Sequence, residues 1–338
     1  MKQFIVSPAP HFHSGDSVRK NMLLVIIALL PAYAVSVWQF GWGALITTAI
    51  SVTACVLVEW LIAKFILKQK STICDLSAAL TGFLLALNLP SSLPWWIVVI
   101  GAIVAIGVAK MSFGGLGQNL FNPALVGRVF MLISFPAQMT TWPEAKGFAT
   151  SYVDATTGAT PLAVLKTLLD KGATDDKVSD ALSALPEMWD ILIGKMGGSL
   201  GEVSALLLLA GGIFLIATRV ITWHIPVSIM ATVALFAAVT GWAGLLPESV
   251  ATGEYVMITL CTGGMMLGAW FMATDYVTSP MSNCGKLIFG VGIGVIVMVI
   301  RTWGAYPEGM PFAILIMNAC APLLNLIRPK RFGEKKKA

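Results

Sequence analysis

MLLVIIALLPAYAVSVWQF (Met22–Phe40) holds no charged residue, and only Gly41 separates it from a second apolar run, WGALITTAISVTACVLVEWLIAKFIL (Trp42–Leu67). A helix rising about 1.5 Å per residue needs about 20 apolar residues to cross the roughly 30 Å hydrocarbon core of a bilayer. Both runs meet that length, so they read as membrane spans. Further runs follow at Trp95–Ala109, Val203–Ala217, Trp223–Leu245, Tyr255–Ala273, Leu287–Ile300 and Met310–Leu326, with shorter ones at Ser77–Leu89 and Pro123–Phe135. The count is about ten, and the expected fold is an all-α polytopic membrane protein.

Composition agrees. Of 338 residues, 57% are hydrophobic and 12% charged, against roughly 45–50% and about 25% in soluble domains. So few charges cannot wet a soluble surface, and the lipid bilayer is the expected solvent. Ala32-Tyr33-Ala34 resembles a signal-peptide cleavage site, but a polar leader and many later spans favour an uncleaved first helix. Cysteines 55, 74, 261, 284 and 320 show no Cys-x-x-Cys spacing, so neither a disulfide framework nor a thiolate metal site is expected. His11, His13 and His224 form no ligand set. The net charge of +5 comes without an aromatic-basic groove pattern, and no nucleic acid is expected as a partner.

The basic residues orient the chain. With the N-terminus in the cytoplasm, Lys2, Arg19, Lys20, Lys64, Lys68, Lys70, Lys110, Arg219, Lys286 and the tail from Arg328 all fall inside, as the positive-inside rule requires. The segment 136–202 then lies outside the cell membrane; it carries five lysines against nine acids. The expected organisation is a cytoplasmic segment 1–21, a first five-helix half 22–135, an extracytoplasmic loop 136–202, a second five-helix half 203–327 and a basic cytoplasmic tail 328–338. An odd number of spans per half inverts the second half relative to the first. A faint internal echo, Leu80-Thr81-Gly82-Phe83-Leu84-Leu85 against Cys261-Thr262-Gly263-Gly264-Met265-Met266, points the same way.

Two stretches interrupt the apolar runs: Gly114-Gly115-Leu116-Gly117-Gln118-Asn119 leading to Phe121-Asn122-Pro123, and Thr274-Asp275-Tyr276-Val277-Thr278-Ser279-Pro280. They fit ordinary turns between full spans. They also fit half-helix ends that line a site, because irregular backbone at membrane depth persists only where protein or water satisfies it. The short runs at Ser77–Leu89 and Pro123–Phe135 favour the second reading. Glu59, Arg128 and Arg301 lie within spans and are expected to snorkel to an interface rather than to relay ions. Trp95, Trp96, Trp142, Trp223, Trp242 and Trp303 read as interfacial anchors.

The loop contains Asp154-Ala155-Thr156-Thr157-Gly158-Ala159-Thr160-Pro161-Leu162, followed by the helix-like Ala163–Lys171. Thr160 has the character of an N-cap, with Pro161 at the first helical position. The simplest reading is a capped helix. The same geometry offers free N–H groups and the positive end of the helix dipole to a phosphate, and Gly158 and Ala159 are small enough to let a bulky group approach.

The pattern Asp-x-x-Thr-Gly-Ala-Thr resembles the flavinylation motif of the membrane flavoproteins in Rnf and Na⁺-translocating NADH:quinone reductase complexes. Ser7-Pro8-Ala9-Pro10-His11, the Gly114–Asn119 stretch with Phe121-Asn122-Pro123-Ala124, and Ala273-Thr274-Asp275 with Val277-Thr278-Ser279-Pro280 are similar to other signatures of that family. Tyr276 stands where the family pattern has proline. The short leader is more similar to the D subunits of Rnf ion-translocating ferredoxin:NAD⁺ oxidoreductase complexes than to the longer B subunits of the quinone reductases.

The resemblance implies FMN bound covalently to Thr160 through a phosphoester, with Asp154, Thr157, Gly158 and Ala159 as motif neighbours. Asp154 would serve transferase recognition or Mg²⁺ binding during attachment, unless it only closes an Asx-type turn. The implied partners are the other Rnf subunits, above all the extracytoplasmic FMN-bearing G subunit, and a flavin transferase during maturation. Family and broken-helix logic together also suggest a non-covalent flavin such as riboflavin, or an ion path, near Asn122, Asp275 and Thr278. The function expected is electron relay within a complex that moves Na⁺ or H⁺, no catalytic residue or metal being assigned. The alternatives are a B-type quinone reductase subunit and a solute channel of similar five-plus-five fold.

Overall fold

The computed structural model of the protein describes residues 16–68, 72–145, 147–149, 158, 160–169, 185, 187–244, 250–304, 306 and 308–327. Asp154, Thr157 and Ala159 lie outside the described residues, as do the leader signature and the basic tail. Among the described residues, five helices are long and apolar enough to cross a membrane. One more span is formed by a pair of helices bent by 60°, and four apolar helices are shorter, of 10–17 residues. Together they make ten membrane helices, and the chain is a polytopic α-helical membrane protein.

In chain order, α1 (Val18–Phe40) rises from the amino-terminal face and α2 (Trp42–Leu61) returns, continuing as a π-helical turn over Ile62–Ile66. The short α3 (Ser77–Leu87) rises part of the way and α4 (Trp95–Ile103) returns, also extended by a π turn (Val104–Val108). α5 (Pro123–Ser134) ends the first half. On the opposite face lie the small helices α6 (Pro136–Met139), α7 (Pro161–Leu169) and α8 (Met188–Ile193). The second half begins with α9 (Ala205–Ala217), which descends to the amino-terminal face, and α10 (His224–Trp242) rises again. The bent pair α11 (Thr252–Cys261) and α12 (Met265–Leu267, extended by a π turn over Gly268–Met272) descends. Finally α13 (Asn283–Trp303) rises and α14 (Met310–Leu324) descends. Each helix of the second half thus runs opposite to its counterpart in the first.

The packing follows the chemistry of a lipid solvent. Large apolar residues such as Leu57, Ile66, Ile133, Leu235 and Leu323 are exposed, while small and polar residues face inward, where they let helices approach closely. At Gly82 an added methyl would stand 2.8 Å from the Ser51 carbonyl oxygen of α2, and the Ser51 hydroxyl donates to the Gly82 carbonyl (2.7 Å). Trp95, Trp96, Trp223, Trp242 and Trp303 are exposed at helix ends, as anchors should be. Trp142 is different: it is buried and lines a cavity together with Thr160.

The true breaks differ from those the sequence singles out. The stretch from Gly114 to Asn122 follows a complete helical run, Trp95–Phe113, and is a turn at the amino-terminal face whose Asn119 and Asn122 are nevertheless buried. One mid-span break lies at Asn88–Pro94, after α3. Another lies at Thr262–Gly264, where Gly263 and Gly264 have φ of +69° and +63°, a left-handed conformation that stops a right-handed helix. Thr81-Gly82 sits inside α3 whereas Thr262-Gly263 is the break itself, so the internal echo does not mark equivalent positions.

The snorkelling expected of Glu59, Arg128 and Arg301 is also overturned. All three are buried. Glu59 accepts from Lys110 Nζ at 2.5 Å, which also donates to the Ser77 hydroxyl at 2.7 Å, and the Thr72 hydroxyl donates to the other Glu59 oxygen at 2.7 Å. Each charge has an internal partner, so an interface is not needed to hold it.

Candidate functional site

Thr160 caps α7. Its hydroxyl accepts the Ala163 N–H at 3.2 Å, and its carbonyl accepts the Val164 N–H at 3.0 Å. Pro161, which has no N–H to lose, occupies the first turn. The capped helix expected from the sequence is present, over Pro161–Leu169.

Leu162, Val164 and Leu165 bury the inner face of α7, and Leu162 seats against the break in the α11–α12 span. A methyl group at Gly263 would collide with Leu162 Cδ1 and would lie 2.6 Å from an Arg301 terminal nitrogen. Only a glycine leaves room there, so the position of Thr160 is tied to the geometry of a broken membrane helix. Lys166 extends this tie by donating to the Gly304 carbonyl; burial holds its ammonium below the ordinary lysine value.

Thr160 itself is 5% exposed and borders a cavity of about 200 Å³ together with Leu132, Trp142, Gly158, Tyr306 and Glu308. The Gly158 N–H donates to the Trp142 carbonyl at 3.0 Å, which fixes the motif's small residue at the cavity wall. The Thr160 hydroxyl therefore sits at three features at once: a helix N-terminus, a cavity and a glycine.

A carboxylate of the second half reaches this cavity. Glu308 pairs with Arg128 Nη2 of α5, while Arg128 Nη1 donates to the Asn88 carbonyl (2.7 Å) and to Asn88 Oδ1 (2.9 Å) at the broken end of α3. Arg301 does the corresponding work at the other break, donating to the carbonyls of Thr259 (2.6 Å), Thr262 (3.0 Å) and Gly263 (3.2 Å). Each arginine satisfies carbonyls at a helix end, which lack the N–H partners of a continuing helix.

On the amino-terminal face a second cavity, of about 110 Å³, lies between the halves; Asn122, Asp275, Lys110, Ser77 and Thr81 contribute its polar lining. Asn122 and Asp275, from different halves, line this one cavity. Thr278 is buried behind it and donates its hydroxyl to Asp275 Oδ2 at 3.2 Å. Asn122 caps α5 through the Ala124 N–H (3.1 Å) and donates to the Met272 carbonyl (3.1 Å) at the end of α12. Burial raises the Asp275 carboxyl above the ordinary aspartate value, against the N–H groups of Val277 and Tyr276 and the Thr278 hydroxyl.

Sequence reasoning missed Glu308, Glu202 and the Lys110–Glu59 pair as parts of an interior charge system. The available signal was the rule that an ionisable residue in a span has an internal partner. It applied to Glu59, Arg128 and Arg301 and carried less weight than snorkelling. Among the described residues, no cluster of His, Cys, Asp or Glu has the geometry to hold a metal ion.

Residues 5–333 match the model of the NQR2, RnfD, RnfE family. The chain is 42% identical over 331 residues to the D subunit of the Na(+)-translocating ferredoxin:NAD(+) oxidoreductase complex of Acetobacterium woodii, covering 96% of this chain and 94% of the relative. It is 41% identical over 337 residues to the D subunit of the ion-translocating oxidoreductase complex of Stutzerimonas stutzeri, with 94% and 93% covered. It is 40% identical over 335 residues to the D subunit of the proton-translocating ferredoxin:NAD(+) oxidoreductase complex of Clostridium ljungdahlii, with 98% and 97% covered. The match runs through both membrane halves and the segment between them, and the chain belongs to the NQR2, RnfD, RnfE family.

Proposed function

We propose that this protein is the D-type membrane subunit of an ion-translocating ferredoxin:NAD⁺ oxidoreductase complex, and that it carries FMN esterified to Thr160. The observation that carries the proposal is the Thr160 hydroxyl: it stands at the N-terminus of α7 and borders a cavity. A phosphodiester there would meet the N–H groups of the first turn and the positive end of the helix. When bound, the flavin supplies one-electron chemistry that no side chain offers; the chain's own residues position it.

The cavity, about 200 Å³, is smaller than the roughly 300–1,000 Å³ of pockets that bury a whole ligand. It suits the phosphate end of FMN, leaving the ring open to exchange electrons with another subunit, for which the extracytoplasmic FMN-bearing G subunit is the candidate. Attachment requires a flavin transferase. The termini are proposed to lie in the cytoplasm and the Thr160 face outside it, which agrees with both ends of the helix array standing on one face.

For the cavity at Asn122 and Asp275, which at about 110 Å³ is too small to bury a whole flavin, we propose that it takes up one edge of a non-covalent flavin such as riboflavin. Its polar rim and apolar walls, among them Leu80, Leu84 and Phe271, suit a flat amphipathic group. The test of the main proposal is in-gel flavin fluorescence after coexpression with a flavin transferase. The wild-type band should fluoresce under denaturing conditions and Thr160→Ala should not; undiminished fluorescence of Thr160→Ala would sink the assignment.

A further inference from the structure

Glu202 is an acid that the proposed function does not use. It lies in the connection leading into α9, is 5% exposed, and its backbone N–H donates to the Ser199 carbonyl at 3.0 Å. Its Oε1 is buried and has no hydrogen-bond partner among the described residues. The groups facing it are the Ser199 hydroxyl in its own loop, Glu308 ahead of α14 within hydrogen-bonding reach, and Arg128 of α5. Arg301 of α13 senses both carboxyls and the Tyr255 phenol of α11.

The cations do not divide evenly between the two acids. Arg128 bonds Glu308 and Asn88, and Arg301 donates to the carbonyls at the α11 break. Among the described residues, no cation stands in hydrogen-bond contact with Glu202. A buried Glu202 carboxylate beside Glu308, which holds the one bonded guanidinium, is costly to ionise through desolvation and repulsion. A proton between them removes that cost, since a carboxyl O–H donates where a carboxylate can only accept.

We infer that Glu202 forms a proton-binding pair with Glu308, which lines the Thr160 cavity, and that the pair takes up a proton when negative charge is added to that cavity. The second clause rests on the proposed flavin; the first does not. The balance is simple. With a flavin on Thr160, one electron supplied by the complex's own redox reaction would be matched by one proton from water, which would convert a carboxylate of the pair to a carboxylic acid. The net charge of the site is unchanged, and no bond other than O–H is made. Reoxidation reverses both.

The test is infrared spectroscopy on the assembled complex, in four forms: wild type, Glu202→Gln, Glu202→Asp and Thr160→Ala. A buried carboxylic-acid carbonyl band should be present in wild type and in Thr160→Ala, vanish above the pH at which Glu202 ionises, near 8, be absent in Glu202→Gln and shift in frequency in Glu202→Asp. Reduction at pH 8 should increase the band in wild type and leave it unchanged in Thr160→Ala. A band that is the same in wild type, Glu202→Gln and Glu202→Asp overturns the pair. If Glu202→Gln does not assemble, the presence or absence of the shift in Glu202→Asp decides. A titrating band that ignores reduction, in a complex shown to carry flavin on Thr160, overturns the coupling. A complex with no covalent flavin defeats the Thr160 assignment, while the pH titration still judges the pair.

Discussion

Arg128 of α5 and Glu308, just ahead of α14, form a buried ion pair between the two membrane halves, and Glu308 is also part of the cavity wall beside Thr160. One residue pair therefore joins the halves, caps the broken end of α3 through Asn88 and borders the proposed flavin attachment site.

Arg128→Met should destabilise the protein by about 3–5 kcal/mol, the usual cost of leaving a buried charge without its partner. Adding Glu308→Gln in the same chain should recover a substantial part of that loss. Thermal unfolding of the purified protein in detergent measures both, and equal losses in the single and double variants would contradict the pairing.

The Lys110–Glu59 pair should behave in the same way at the other face. Lys110→Met strands the fully buried Glu59 and should cost about 3–5 kcal/mol, whereas Lys110→Met with Glu59→Gln should cost less. If Glu59 snorkelled to the interface instead, Lys110→Met would be nearly neutral, within about 1 kcal/mol.

Gly263→Ala and Gly264→Ala separate backbone strain from packing. Both positions have positive φ, so both substitutions carry about 1–2 kcal/mol of left-handed strain. A methyl at Gly264 meets nothing within 4 Å, but one at Gly263 would collide with Leu162. Gly263→Ala should therefore be the more destabilising and should lower flavin attachment at Thr160, while Gly264→Ala should leave attachment near wild type. Melting temperature and in-gel fluorescence, measured side by side, check this.

Burial and its neighbour Glu308 push the Glu202 carboxyl up from 4.5 to about 8. The folded state then binds more protons than the unfolded state between those values, so stability falls as pH rises from about 5 to 8 and levels off above. Glu202→Gln should flatten this slope. Melting temperature as a function of pH distinguishes the two, and identical slopes in wild type and Glu202→Gln would contradict the assignment.

Much of this fold can be read from the sequence because its two strongest signals are local. The uncharged run Met22–Phe40 has the length of a span, and Thr160-Pro161 at the head of an apolar helix has the pattern of a cap. What could not be read depends on distant partners. Trp142 resembles the other interfacial tryptophans in sequence, yet it is buried in the wall of the Thr160 cavity. Glu59 and Lys110 are 51 positions apart, and Arg128 and Glu308 are 180 apart, so Glu59 and Arg128 each read as a lone charge suited to snorkelling. The break at Thr262–Gly264 stayed hidden for another reason: Gly-Gly in an apolar run also suits close helix packing, and only the positive φ angles tell the two apart. At the amino-terminal cavity, Asn122 and Asp275 were found by the interruptions around them, although the first interruption is a turn and not a mid-span break.

The proposed phosphoester on the Thr160 hydroxyl is tested most directly by mass spectrometry of the tryptic peptide 147–166, from complex purified after coexpression with a flavin transferase. The predicted result is an increment of one FMN less one water, localised to Thr160 by fragmentation, retained in Thr160→Ser and lost in Thr160→Ala. An unmodified peptide from a complex active in electron transfer, or the same increment in Thr160→Ala, would contradict it.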